Sequence, residues 1–374
     1  MIDEVIFKNE ERAAYALRSL YGQFGYIPYK MSKFEEYDLY VRNKDFLISD
    51  GIITFTDTNG KLLALKPDVT LSIVKNSKDN GKGVQKLYYS ENVYRVAKGS
   101  RHFKEIMQTG LECIGNVGLY DVCEVLTLAV KSLLLLDTHC ILDLSHAALV
   151  SALLKEATDS DMIRNELTDA LARKSADAVD ALGENGSITS AAVALVKALI
   201  AEYSDMDTAY AALSPYAVSS ESKIALEELS ATVRTLEELG YGKYININFS
   251  LFGNMRYYNG VLFKGYIQGI PDSVLSGGRY DGLMKRMGKQ TGAIGFAVYL
   301  DAFERFGAVG REYDVDVLLL RDESASVPFV IETVEKLSKE GKRVLVQDSI
   351  PEDIRYRTLM KITGEGVVCE NGND

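Results

Sequence analysis

Apolar residues recur along this 374-residue chain in two rhythms, and the switches between them mark out its elements. Between Glu10 and Phe24 they fall three or four apart, at Ala14, Leu17, Leu20 and Tyr21, which predicts a helix closed by Gly25. An extended segment, Tyr26 to Met31, and a polar turn follow. The stretch FLISDGIITFTDTNGKLLALKPDVT predicts strands joined at Thr58-Asn59-Gly60, because Asn-Gly supplies the left-handed backbone of a tight hairpin. Tyr88 to Gly115, YYSENVYRVAKGSRHFKEIMQTGLECIG, is the most informative stretch. Two β-prone runs flank a polar loop with Lys98, Gly99, Ser100, Arg101 and His102, predicting an antiparallel hairpin with a long, cationic tip.

Helical spacing returns from about Tyr120 to Leu136, followed by an apolar strand, CILDLS, in which a buried Asp143 needs a partner. From about Ala147 to Leu239 the chain is rich in Ala, Leu and Glu, with breaks at Gly183-Glu184-Asn185-Gly186 and Ser214-Pro215. It reads as an all-helical insertion. Strand patterns resume at Tyr244 in YININFSLF, RYYNGVLFKGYIQG and VLSGGRYDGLMKRMG, and AIGFAVYLDAFERF runs from a glycine-bearing strand into a helix. Residues 1–310 are therefore expected to form an α+β domain: a mostly antiparallel sheet with flanking helices, split in sequence by the insertion at about 147–239. After a linker at Gly307 to Gly310, residues 313–374 predict a small β-α-β-α-β unit with a parallel sheet. Its elements are a strand VDVLLLRD, a helix near Ser326 to Lys339, a strand KRVLVQ, a helix near Glu352 to Ile362 and a last strand GVVCE.

Alternation along MQTGLECIG puts Gln108, Gly110 and Glu112 on one strand face and Met107, Thr109, Leu111 and Cys113 on the other. An amide and a carboxylate flanking a bare backbone position suit a pocket floor, and equally a solvated sheet face. Asp68 and Thr70 stand just before the apolar run LSIVK, where either fits a helix N-cap without losing the ability to face a ligand. A net charge of -11 and a pI near 5.0 argue against a general polyanion binder, tRNA included. From Tyr313 onward thirteen acids face eight bases, which extends that argument to the C-terminal unit. Cys113, Cys123, Cys140 and Cys369 lack C-x-x-C spacing and do not cluster with the three histidines, so buried reduced thiols are expected, with no metal and no cofactor. The N-terminus has no signal-peptide pattern and no apolar run reaches the roughly 20 residues of a membrane span, which predicts a cytoplasmic protein without membrane contact.

Four stretches together resemble the histidyl-tRNA synthetase family. LKPDVT resembles its L-R-P-E-G-T, MQTGLECIG its H-Q-I-G-V-E stretch and RYYNG the end of its R-G-L-D-Y-Y-T-G, while GGRYDGL matches its G-G-R-Y-D-G-L. The resemblance runs from about residue 5 to 305 and implies the class II aminoacyl-tRNA synthetase-like antiparallel sheet, with the C-terminal unit as a truncated anticodon-binding-like domain. Position by position, it implies a histidine pocket of Asp68, Thr70, Arg95, Gln108, Glu112, Tyr257 and Tyr258. Asp68 and Thr70 would hold the α-ammonium, and Gln108, Glu112 and a tyrosine hydroxyl would surround the imidazole.

The departures from that family are as informative as the matches. Arg95 keeps the motif 2 arginine, but two further arginine positions are occupied by Gly253 and Ala302, and Ala97 replaces the glutamate that reads adenine. Arg256, three residues beyond Gly253, would project from the opposite strand face, and Glu304-Arg305 falls too late to restore the second position. At roughly 3 kcal/mol for each missing phosphate-facing donor, adenylate formation is not expected. The aspartate of LKPDVT, with Lys66 in the arginine position, is similar to the ATP phosphoribosyltransferase regulatory subunits. That resemblance implies a non-catalytic partner of the short catalytic ATP phosphoribosyltransferase chain in histidine biosynthesis, self-associating as a dimer, activating its partner and taking histidine as feedback effector. In motif 1, within GYIPYKMSKFE, Ser32 takes the proline position while Glu35 fits. The alternatives are an active histidyl-tRNA synthetase and a stand-alone histidine-binding paralogue.

Overall fold

A computed structural model of the chain describes residues 9–46, 51–77, 83–96, 102–251, 258–301 and 313–370. Ala97 and the hairpin tip to Arg101, Gly253, Arg256, Tyr257, Ala302, Glu304-Arg305 and the linker at Gly307 to Gly310 lie outside the described residues. Two compact units, Met1–Phe306 and Gly307–Asp374, divide the chain.

In the first unit the elements run α1 (Asn9–Gln23), β1 (Ile27–Pro28), β2 (Phe34–Glu36), α2 (Tyr37–Arg42), β3 (Thr54–Thr56), β4 (Leu62–Leu65), α3 (Thr70–Asn76), β5 (Val84–Val96), β6 (Phe103–Gly115), α4 (Leu119–Leu136) and β7 (Cys140–His146). Then come α5 (Ala147–Ala157), α6 (Asp161–Ala172), α7 (Ala176–Glu184), α8 (Ser190–Ile200), β8 (Glu202–Tyr203), α9 (Met206–Leu213) and α10 (Ser220–Glu238). β9 (Ile245–Asn248), β10 (Val261–Ile267), β11 (Leu275–Arg279), α11 (Asp281–Arg286) and β12 (Gly292–Tyr299) complete it. The turn between β3 and β4 forms where Asn-Gly predicts it: Gly60 has φ 78°, and Asp57 Oδ1 accepts from the Asn59 and Lys61 N–H groups at 2.8 Å each.

Nine strands form one sheet in the order β1-β5-β6-β12-β11-β10-β7-β9-β8, antiparallel except for the β1–β5 and β7–β9 pairs. Strand register sorts its two faces. On one face Leu111, Phe296, Gly277, Phe263 and Leu144 stand in a row across five strands and bury themselves against Leu17 and Tyr21 of α1 and Leu126 and Leu133 of α4. Gly277 is bare because a Cβ there would sit 2.4 Å from the Phe296 Cβ and 2.8 Å from the Phe263 ring, which meet over it at 6.1 Å between centroids. The opposite face carries Glu112, Gly295, Gly278, Leu262 and Ser145 in one row, and Tyr89, Gly110, Ala297, Ser276, Lys264 and Asp143 in the next. Small residues line its middle, and this is the face that carries the polar site.

Asp143 has the partners its strand requires: half-buried, it accepts from the side-chain amides of Asn246 and Asn248, both at 2.9 Å. Three expectations need correction. The insertion is not all helix, because Glu202–Tyr203 pairs with β9 at the sheet edge. In the second unit the predicted helix at Glu352 to Ile362 is β15 (Tyr356–Thr363), lying between β13 (Val315–Arg321) and β16 (Gly366–Glu370), with β14 (Val344–Gln347) on the far side of β13. β13 pairs in parallel with β14 and β15, whereas β15 and β16 form an antiparallel hairpin turned at Gly364-Glu365, with Gly366 at φ 146°. The helix Val327–Lys339 packs Val330 and Leu337 on Val317, Leu319 and Ile362. Finally, Cys113 and Cys123 are buried, but Cys140 is half-exposed and Cys369 exposed on the edge strand β16. Among the described residues, no helix is long and apolar enough to cross a membrane.

Candidate functional site

Two hydroxyl donors converge on Glu112. Thr70, the first residue of α3, donates to its Oε1 at 2.7 Å, and Tyr280, between β11 and α11, donates to its Oε2 at 2.5 Å. The carboxylate is 2% exposed, so the solvated-face reading of this strand does not hold. Gly295, its neighbour on β12, makes the space: a Cβ there would fall 1.8 Å from Glu112 Oε2. Burial raises the Glu112 pKa to about 8, against the hydrogen bonds from Tyr280 and Thr70 and with some help from the Asp68 charge.

The two N-cap candidates have separate tasks. Asp68 Oδ1 accepts from the Leu71 N–H at 2.9 Å and so caps the first turn of α3, which leaves the Thr70 hydroxyl for Glu112. Asp68 is itself 7% exposed, and burial pushes its pKa up against the pull of Arg95, whose Nη2 is 3.7 Å from Asp68 Oδ2. Arg95 Nε donates to the Pro67 carbonyl at 2.6 Å, so this cation is turned toward the chain's own acceptors. Gln108 is 2% exposed and its Nε2 has no hydrogen-bond partner among the described residues, a buried donor on the pocket face.

The strand pattern predicts that Gly110 presents bare backbone to a ligand. Instead the Tyr89 side chain, directly opposite it in the β5–β6 hairpin, lies over it: a Cβ at Gly110 would be 2.6 Å from the Tyr89 hydroxyl oxygen. The Tyr258 ring covers Gly278 in the same way, with Cδ1 2.5 Å from where a Cβ would stand. Burial raises the pKa of both tyrosines, so both keep their phenolic protons at neutral pH. Tyr257 lies outside the described residues, while Asp68, Thr70, Arg95, Gln108, Glu112 and Tyr258 come together. Tyr89 and Tyr280 are site residues that the sequence alone does not pick out. Hairpin pairing opposite Gly110 is the signal that finds Tyr89, and GGRYDGL contains Tyr280 although the motif itself gives it no role.

Two buried carboxyl groups, a buried amide and phenolic hydroxyls favour a small ligand with a cationic end and a polar ring. Among the described residues no group of three or more His, Cys, Asp or Glu is arranged to hold a metal ion.

The histidyl-tRNA synthetase family profile matches residues 3–303. A relative from Clostridium novyi (strain NT), named ATP phosphoribosyltransferase regulatory subunit, is 30% identical over 312 residues, spanning 80% of this chain and 73% of that protein. A solved structure described as an ATP phosphoribosyltransferase regulatory subunit/histidyl-tRNA synthetase from Bacillus halodurans C superposes with a TM-score of 0.74 at 23% identity, covering 94% of this chain and 93% of that one. A chain of an ATP phosphoribosyltransferase complex from Thermotoga maritima gives a TM-score of 0.60 at 20% identity, over 79% of this chain and 98% of that one. Both solved structures share the fold.

Proposed function

Because the chain belongs to the ATP phosphoribosyltransferase regulatory subunit family, on a histidyl-tRNA synthetase-like fold, we propose that it binds free histidine on its sheet and so governs a short catalytic ATP phosphoribosyltransferase chain. It activates that chain in the hetero-oligomer, and histidine, the pathway's end product, inhibits through this subunit. The observation that carries the reading is the buried Glu112 carboxyl, fixed by Thr70 and Tyr280 on the same strand face as the Gln108 Nε2, which has no hydrogen-bond partner among the described residues. Glu112 and Gln108 take the imidazole, and Asp68 takes the α-ammonium. Histidine inhibits to the extent that it binds one arrangement of the complex more tightly than another. In the reconstituted complex, Glu112→Ala is expected to raise the histidine concentration needed for half-inhibition by at least about tenfold, from the loss of a buried hydrogen bond to the imidazole. An unchanged inhibition curve rejects the site.

The competing reading is an active histidyl-tRNA synthetase. Gly253 and Ala302 at two arginine positions speak against it, as does the engagement of Arg95 by Pro67 and Asp68. Histidine-dependent ATP-pyrophosphate exchange by the purified chain separates the two, and robust turnover would overthrow the regulatory assignment. The acidic balance of the second unit supports a chain that no longer handles tRNA.

A further inference from the structure

Glu91 stands on the same sheet face as the candidate pocket, directly opposite Gln108 in the β5–β6 register. Its Oε2 is 2.5 Å from the Nζ of Lys66, a lysine that is only 1% exposed. Lys66 enters from the segment between β4 and α3, held there by the Tyr94 N–H donating to its carbonyl at 3.0 Å. Two residues further along that segment, Asp68 faces Arg95 of β5. Lys66 and Arg95 thus bring two cations to this end of the pocket, and a carboxylate of the chain itself already faces each one. Beside them the Gln108 Nε2, buried and without a hydrogen-bond partner among the described residues, offers a donor.

A buried ammonium needs a counter-charge, and once a carboxylate supplies it a second anion meets repulsion and no free donor. We propose that Glu91 is a built-in counter-anion that bars phosphate-bearing ligands from this pocket, so that the site admits a free amino acid and refuses a nucleotide or an acyl phosphate. The argument depends on the histidine reading only for the ligand of the inner half. Were the Lys66–Glu91 pair a plain cross-link between β5 and the segment before α3, its loss would lower stability and nothing else. As a counter-anion, its loss leaves Lys66 as a buried cation open to an anion from solution.

The experiment uses the full chain, with inorganic pyrophosphate as the probe and chloride at matched ionic strength as the control, read by calorimetric titration and thermal unfolding. Glu91→Gln is expected to bind pyrophosphate at least about tenfold more tightly than the wild type, and the Lys66→Met/Glu91→Gln double variant is expected to lose that gain. If Glu91→Gln is unfolded in chloride, recovery of its fold in pyrophosphate is the expected form of the same gain, and no recovery overturns the proposal. Equal pyrophosphate affinity in wild type and Glu91→Gln also overturns it, as does a gain that survives in the double variant. A failure of every variant to bind histidine, with the pyrophosphate gain present, would strike the histidine reading alone.

Discussion

Glu112 is a carboxyl placed where water is absent, and its chemistry follows from that placement. Its folded pKa, about 8, lies above the ordinary carboxyl value of 4.5, so between those limits the folded chain keeps a proton that the unfolded chain has released. Stability from this group is fully present below pH 4.5 and is lost as pH rises through about 8. At about 1.4 kcal/mol for each tenfold difference in proton affinity between the folded and unfolded chain, the loss is on the order of several kcal/mol. Glu112→Gln is therefore expected to flatten the fall of unfolding free energy between pH 5 and 8, measured by denaturant titration across that range; equal slopes in both proteins would contradict the burial argument. Gln108 behaves in the opposite way, since its Nε2 donor, unpartnered among the described residues, costs stability in the absence of ligand. Gln108→Leu should keep or raise the unfolding midpoint while weakening histidine binding, a pair of effects that a purely structural glutamine would not produce. Gly295→Ala should remove histidine binding and cost roughly 1–3 kcal/mol of stability, because the new methyl collides with Glu112 and the Leu111 carbonyl.

At the scale of elements, the β5–β6 hairpin places the site and the sheet register completes it. Period-two alternation announces which residues of β6 share a face, and the structure agrees. What alternation on one strand leaves out is the neighbour: Tyr89 over Gly110, Gly295 beside Glu112 and Tyr258 over Gly278 depend on pairing between strands far apart in sequence. β15 shows the same limit from the other side. Local spacing reads its sequence, YRTLMKIT, as part of a helix, and register with β13 and a tight turn to β16 decide for strand instead. Asp143 joins β7 to β9 through two side-chain amides, so Asp143→Ala is expected to lower stability by roughly 1–3 kcal/mol through the loss of both hydrogen bonds, with histidine affinity unchanged. Thermal unfolding with a parallel histidine titration measures both; a lost histidine response would place Asp143 in the binding site.

For the whole molecule, two units with separate cores divide the labour. The described residues of the candidate pocket lie within Met1–Phe306, and Gly307–Asp374 has its own apolar cluster around Val317, Leu319 and Ile362. A fragment ending at Phe306 should therefore fold and bind histidine within a factor of about 3 of the full chain, while its effect on a catalytic partner is free to change. A fragment that folds but does not bind would assign part of the site to the second unit. The amino-acid sequence alone determined the long helices of the first unit, the central hairpin and the family resemblance, and it nominated most of the candidate pocket residues, because periodicity, turn chemistry and motif spacing are local and survive in one dimension. Tertiary structure alone decided that Glu112 is buried and holds its proton near neutral pH, that Tyr89 fills the place kept bare at Gly110, and that Glu91 neutralises Lys66. Each of these arises where segments distant along the chain exclude water from one another, and desolvation is a property of the assembled environment rather than of any residue in it.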